Sequence, residues 1–371
     1  MYSQKGDDQL NIKELLKFAF AYCGIVIGAG FATGQEIMQF FTNDGIMSFA
    51  GIVLAVLMVT FVFRQSAKVG YLYDVDSHEL PLIKLFGKYF GTFLDYALVF
   101  FMYVTCFVMI AGGGSNLNES FGMPTWVGSI IMIILVSITL MLKFDRIINL
   151  LGIATPILLI MVIFMTIFAF INADLSVVEG AKYADSSVPP WNVWWIDATV
   201  YAGLMYGVGF SFITIMGSDT RLYEVVKRGS LLGGLFVLIL MLLLNGGLLL
   251  NMDIAVTKDI PALVVANAVH PLFGSIYSIV IIVLIYNTVV ALMYAVLVRF
   301  TKARSKNYAI LLAILMVVAF LFTRIGFVEL INIFYPLYGY LGIIVGLGFF
   351  VLWIRKKVQR SKYYDRTNIE D

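Results

Sequence analysis

Ten stretches of this chain are predominantly apolar over about the ~20 residues that cross a hydrocarbon core as a helix. They lie near 14–41, 47–69, 92–113, 125–142, 148–171, 197–216, 230–250, 273–299, 307–323 and 327–354. A soluble domain has too little interior to bury that many. Its surface also needs charge, roughly 25% of residues, whereas here 13% are charged and 61% hydrophobic. No segment between the blocks is long enough to form a core of its own. The expected architecture is all-α and integral to a membrane, one transmembrane domain over residues 1–371.

Basic residues favour the cytoplasmic side of a membrane. With the N-terminus inside and ten spans, the outer loops hold only Lys182, Lys258 and Arg324 of the 25 lysines and arginines. A miscounted span would scramble that alternation, so both termini are expected in the cytoplasm. The basic stretch WIRKKVQRSK from Trp353 reads as a stop-transfer and anionic-lipid anchor at the head of a cytoplasmic tail, 355–371. The first block lacks a small-residue cleavage site and reads as an uncleaved span. Cys23 and Cys106 both fall within blocks, which argues against a structural disulfide.

Three connecting segments carry structure of their own. Residues 77–90, SHELPLIKLFGKYF, are amphipathic and suit a helix lying in the interface. Trp191, Trp194 and Trp195 sit just before the sixth block, where an aromatic belt belongs. Residues 261–270, PALVVANAVH, are apolar but too short to cross, and predict a helix dipping back from the outer surface.

The first block contains YCGIVIGAGF (22–31) and the sixth YAGLMYGVGF (201–210), identical at five of ten positions. Tyr22 aligns with Tyr201, Gly24 with Gly203, Gly28 with Gly207, Gly30 with Gly209 and Phe31 with Phe210. Five crossings separate equivalent points, an odd number, so the two halves would be inverted copies. The first repeat covers about 14–171, and the second about 197–323 with the last spans to 354. Ten spans as five plus five inverted, with matching glycine breaks, is a pattern of secondary transporters. Glycine costs about 1 kcal/mol relative to alanine inside a helix. The G-x-x-x-G spacing also serves close helix packing, while the density of the GAG and GVG cores favours unwinding. At a break, one half-helix ends in free carbonyls and the next begins with free amides. Two facing breaks would hold both ends of a zwitterion, the simplest being an amino acid.

The run VIGAGFATGQEIMQFF resembles the YkvI-type family of bacterial membrane proteins, itself similar to the amino acid–polyamine–organocation superfamily. The resemblance extends along the whole chain and implies a LeuT-like fold in a bacterial cytoplasmic membrane, with spans one and six broken at mid-membrane. It implies a substrate position lined by Gly28, Ala29, Gly30 and Phe31 from span one and by Gly207, Val208, Gly209 and Phe210 from span six. Tyr103, in span three, matches the place of a tyrosine hydroxyl on the substrate carboxylate; a packed aromatic with a hydrogen-bonded tip is the other reading of that residue. The resemblance also implies a sodium position between the carbonyls of Gly24 and Ile27 and the side chains of Asn287 and Thr288. The asparagine departs from the Ser/Thr pair usual there. Span five lacks the lysine that some sodium-independent relatives carry, which tilts the expectation toward an ion.

Glu36 lies six residues past Gly30, on the outward half of span one. Burying a carboxylate in a membrane is costly, so such a group is a functional candidate. Facing a cavity, it would bind and release a proton or pair with a cationic substrate. Wetted by an outer vestibule, it would gate without coupling.

Other classes fit poorly. His78 and His270 are the only histidines and both lie between blocks, so neither a metal nor a haem cluster is expected within the spans. No Walker-type run is present, no ring-forming channel filter is evident, and nothing points to nucleic acid. The expected function is cation-coupled secondary transport of a small amino acid or related amine by alternating access. Its partners are that solute and the lipid bilayer; no cofactor is expected beyond sodium or a proton as the coupling ion. A non-transporting nutrient sensor on the same fold is the competing class.

Overall fold

The computed structural model describes residues 12–73, 79–141, 154–185, 188, 190–220 and 222–367. His78 and the start of the fifth block lie outside them. The described residues form helices, 3-10 turns and loops. The first block is a set of three pieces, α1 (Ile12–Val26), α2 (Ala29–Thr33) and α3 (Gln35–Phe40). There follow α4 (Ser48–Tyr73), α5 (Glu79–Phe86), α6 (Lys88–Phe121), α7 (Thr125–Leu140), α8 (Ala154–Asn172) and α9 (Val177–Gly180). The second half holds α10 (Trp194–Ser218), α11 (Tyr223–Leu249), α12 (Met252–Ala255), α13 (Pro261–Val269), α14 (Pro271–Phe300), α15 (Lys306–Phe322) and α16 (Phe327–Thr367).

Six of these segments are long and apolar enough to cross a membrane, from 25 residues in α10 to 34 in α6. From Pro156, α8 passes through a bend of 99° into the segment Val177–Tyr183, and α7 and α15 are shorter apolar helices. Large apolar side chains point outward on many of them, such as Leu57, Ile160, Leu272 and Val317. Polar ones such as Asn116, Thr166 and Asn245 are fully buried. That inside-out distribution is what a hydrocarbon solvent demands, because helices satisfy their own backbone groups while polar side chains need protein partners.

The first span breaks as expected and then turns again. Gly28 is extended (φ −98°, ψ −160°), and Gly34 adopts φ +80°, a left-handed conformation that favours glycine. The Thr33 hydroxyl donates to the Gly30 carbonyl (2.7 Å) and accepts from the Gln35 amide (3.2 Å), bridging the second turn. From α14, the Tyr277 hydroxyl donates to the Ala32 carbonyl (2.8 Å). The short α13 appears where PALVVANAV predicts a helix, and it packs over the second turn. A Cβ at Gly34 would lie 2.8 Å from the Ala262 amide nitrogen.

The sixth span corrects the expectation of a matching break: α10 runs unbroken from Trp194 to Ser218. Its glycines serve contact instead. A Cβ at Gly203 would strike the Gly339 carbonyl of α16, one at Gly207 the Tyr338 ring, and one at Gly209 the Phe63 ring of α4. Helix α16 approaches with its own Gly339 and Gly342, which would strike Val200 and Gly203. The packing gained along this seam offsets the helix-propensity cost of the glycines, and the backbone has no reason to open.

One end of the bundle is capped. The Asn245 amide donates to Ser48 (2.8 Å) and its carbonyl accepts from Thr42 (3.0 Å), tying α11 to the 3-10 turn Thr42–Met47. The Asp185 amide donates to Asn43 (3.0 Å) from the α9 side. The other end holds the start of α1 and the end of α10, where Glu14, Lys17, Asp219 and Thr220 line a small cleft. Between α6 and α14, Arg299 pairs with Asp95, which is fully buried. Breaking a buried ion pair is costly, so Asp95→Asn is expected to cost about 3 kcal/mol of stability. Detergent unfolding followed by circular dichroism reads that loss.

Candidate functional site

The break at Gly28 opens onto a cavity of about 270 Å³ near the middle of the bundle. Gly24, Ile27, Gly28, Ala29 and Gly30 form one wall, with Glu36 folded back over them. Thr105 and Met109 come from α6, Leu204, Met205, Val208 and Phe212 from α10, Leu284, Asn287, Thr288 and Ala291 from α14, and Tyr335 from α16. Gly30 and Glu36 are buried, whereas Phe212 and Ala291 are exposed. Its Gly30 and Glu36 side is thus buried within the bundle, and its Phe212 and Ala291 side lies at the surface.

The Cys23 carbonyl still accepts from the Ile27 amide and the Ala32 amide still donates to Gly28, but the interruption leaves the later carbonyls of α1 and the earlier amides of α2 without helical partners. Nothing lies within 4 Å of the place a Cβ would take on Gly28, so the backbone there faces free space. Gly30 has the opposite surroundings. The three atoms nearest to a Cβ there all belong to Glu36: Oε1, Cδ and Cγ. The glycine exists, in effect, to seat the carboxyl. Glu36 is 7% exposed, and Tyr335 lines the same cavity.

Of the residues singled out from sequence, Gly24, Ile27, Gly28, Ala29, Gly30, Glu36, Val208, Asn287 and Thr288 all line this one cavity. The remaining five lie outside its lining. Phe31 and Phe210 are buried in the hydrophobic core, and Gly207 and Gly209 face the Tyr338 and Phe63 rings. The Tyr103 hydroxyl donates to the Leu315 carbonyl of α15 (2.7 Å), and its ring packs edge-on to Phe107. Sequence reasoning missed Tyr335, Thr105, Met109 and Met205. The tyrosines of FYPLYGY (334–340), unusual in so apolar a span, were the available signal for Tyr335.

The chain is thus an all-helical membrane protein whose fold matches that of a solved transporter. The match is to the manganese transporter of Eremococcus coleocola in complex with an aromatic bis-isothiourea substituted compound. It has a TM-score of 0.58 at 11% identity and covers 91% of this chain and 78% of that one. A mutant of the same transporter gives 0.56 at 13% identity, over 92% and 79%. Among curated proteins, the chain is similar to the uncharacterized membrane protein YkvI of Bacillus subtilis (strain 168), 27% identical over 354 residues, 93% of this chain and 97% of that protein. It is also similar to the uncharacterized protein YyaD of the same organism, 26% identical over 342 residues, 88% and 94% of the two. No family model matches the chain.

Proposed function

We propose that this protein is a cation-coupled secondary transporter of a small amino acid or related amine, working by alternating access. The observation that carries the reading is the double interruption of the first span beside a closed-ended cavity. Unwound backbone at membrane depth is tolerated where it lines a cavity, and transporter sites are built from such discontinuous helices. Gly28, Ala29, Gly30 and Val208 are the proposed substrate wall. The convergence of Gly24, Ile27, Asn287 and Thr288 on one side of it supports a sodium position there.

Ten spans in a LeuT-like five-plus-five inverted arrangement with cytoplasmic termini complete the proposal. Helix neighbours support it in pairs: α1 lies on α11 as α10 lies on α4, and α6 packs on α7 as α14 packs on α15. Likewise α8 touches α11 and α14 as α16 touches α4 and α6. The exception is the α10–α16 seam. Its counterpart, between α1 and α8, is an apolar groove of about 800 Å³.

Manganese, the cargo named for the structural neighbours, fits the donor set less well. The cavity offers one carboxylate, and no group of three His, Cys, Asp or Glu side chains suited to a metal gathers among the described residues. Reconstitution tests the reading: uptake of an amino acid and amine panel is measured with sodium and proton gradients imposed separately. Accumulation driven by one gradient is expected. Binding without flux would favour the sensor, and flux indifferent to both gradients would remove the coupling.

A further inference from the structure

We propose that the solute is an amine cation lacking a carboxylate, held by Glu36, and that it exchanges with a proton on that same carboxyl. The exchange rests on the transport reading above; the binding preference does not.

A zwitterion needs a donor-rich place for its carboxylate as well as an acceptor-rich place for its ammonium. An unbroken α10 supplies neither free amides nor free carbonyls at mid-helix. Only the break after α1 remains, and its carbonyl side suits a cation. On its other side, over Gly30, the Glu36 carboxyl already fills the space. A ligand carboxylate placed there would collide with that carboxyl and, once the ammonium has displaced its proton, would meet a like charge in a desolvated site. Nor does a lysine or arginine line the cavity to hold it elsewhere.

The groups facing Glu36 suit an ammonium. Tyr335 lines the same cavity, and the Tyr201 ring of α10 packs on Phe40 of α3. The hydroxyls of Tyr201 and Tyr338 are buried and have no hydrogen-bond partner. Neither residue lines the cavity, so the three donors of an ammonium go to the Glu36 carboxylate and to the carbonyls that end α1. Among the elements packed on α3, the 3-10 turn Thr42–Met47 carries Asp44, α10 carries Asp197 and α16 carries Glu329, all of them acids; α13 contains no charge, and Glu224, Lys227 and Arg228 of α11 lie at its far end. The walls of Met109, Leu204, Met205 and Leu284 accept a short hydrocarbon body.

The step balances as a one-for-one exchange. The ammonium R–NH3+ arrives at protonated Glu36, the carboxyl O–H bond breaks, and the proton leaves to water on the side to which the cavity opens. When the amine departs, water on that side returns a proton, because an unpaired carboxylate is expensive at this depth.

Matched pairs differing by the carboxylate provide the test: isobutylamine against valine, isopentylamine against leucine, phenethylamine against phenylalanine. Binding to the purified full chain is measured by calorimetry in buffers of different ionisation enthalpy, which also counts protons released. At least one amine is expected to bind at least about tenfold more tightly than its amino acid, releasing close to one proton. Glu36→Gln is expected to weaken it about 100-fold. Tyr335→Phe, which keeps the ring, should weaken it less while preserving proton release. Tighter binding of an amino acid, amine binding without proton release, or no amine binding at all would each overturn the proposal. Amino acid flux in liposomes without amine binding would sink this inference and leave transport standing. Amine binding with proton release but no flux would do the reverse.

Discussion

Gly30→Ala is expected to weaken solute binding about 100-fold while leaving the fold intact. The substitution suits the backbone: Gly30 lies within α2, and alanine in a helix gains about 0.5–1 kcal/mol over glycine. Its added methyl, however, would occupy the space of the Glu36 carboxyl, whose Cγ alone would lie 2.9 Å away. The side chain must leave its seat over Gly30 and its place beside Tyr335 in the cavity. Truncating one partner of a buried charge pair costs ~2–5 kcal/mol in complexes, so a fall in affinity of about 100-fold is expected. Gly28→Ala is the comparison, since its methyl would enter the cavity without touching Glu36. Nothing lies within 4 Å of its Cβ position, and φ −98° is open to any residue. A smaller loss of affinity is expected for it, from crowding the proposed substrate wall alone. Calorimetry with whichever solute binds the unmodified chain, beside thermal unfolding of each variant, reads both effects. An unchanged Gly30→Ala protein would mean that Glu36 has no part in binding.

The sequence was legible where a residue's role follows from its own chemistry. Four glycines in eleven residues ahead of a lone carboxylate announced the break in the first span, and PALVVANAV announced α13. Nine of the fourteen residues proposed for the site, Glu36 among them, converge on one cavity. The sixth span was misread because the fate of a glycine run depends on its neighbour. On α16, Gly339, Gly342 and Gly346 share a face, letting α10 settle against the backbone. The corresponding neighbour of α1 is α8, ATPILLIMVIFMTIFAFIN, which contains no glycine and presents bulky side chains. A groove remains there and Gly24 lines it. One motif therefore packs in the second half and unwinds in the first. Tyr335 was missed for a related reason: its place in one cavity with Glu36 joins residues almost three hundred apart, which no local pattern encodes.

That seam yields the other large effect. In Gly342→Ala, the new Cβ would fall on the Gly203 carbonyl, 2.6 Å from its carbon and 3.0 Å from the Gly207 nitrogen. All three are helical backbone atoms, so no flexible side chain can swing aside. The helices must separate along the seam, and the Tyr338 ring seated on Gly207 and the Tyr206 ring seated by Gly346 lose contact with it. Overpacking a core costs ~1–3 kcal/mol, occasionally more. A backbone-on-backbone clash belongs at or beyond the top of that range. Gly203→Ala should cost about as much, since its Cβ would strike Gly339 across the same interface. Once the helices have parted for one methyl, the second enters a gap already open. The double variant should therefore cost well below the sum of the singles, a coupling of about 1 kcal/mol or more, as for residues in direct contact. Gly51→Ala, whose Cβ would meet Phe41 at 3.3 Å and the Trp194 carbonyl at 3.4 Å, should be far milder. Unfolding midpoints of the four variants in one detergent decide the matter. Strict additivity of Gly203→Ala and Gly342→Ala would show that the two glycines do not share one seam.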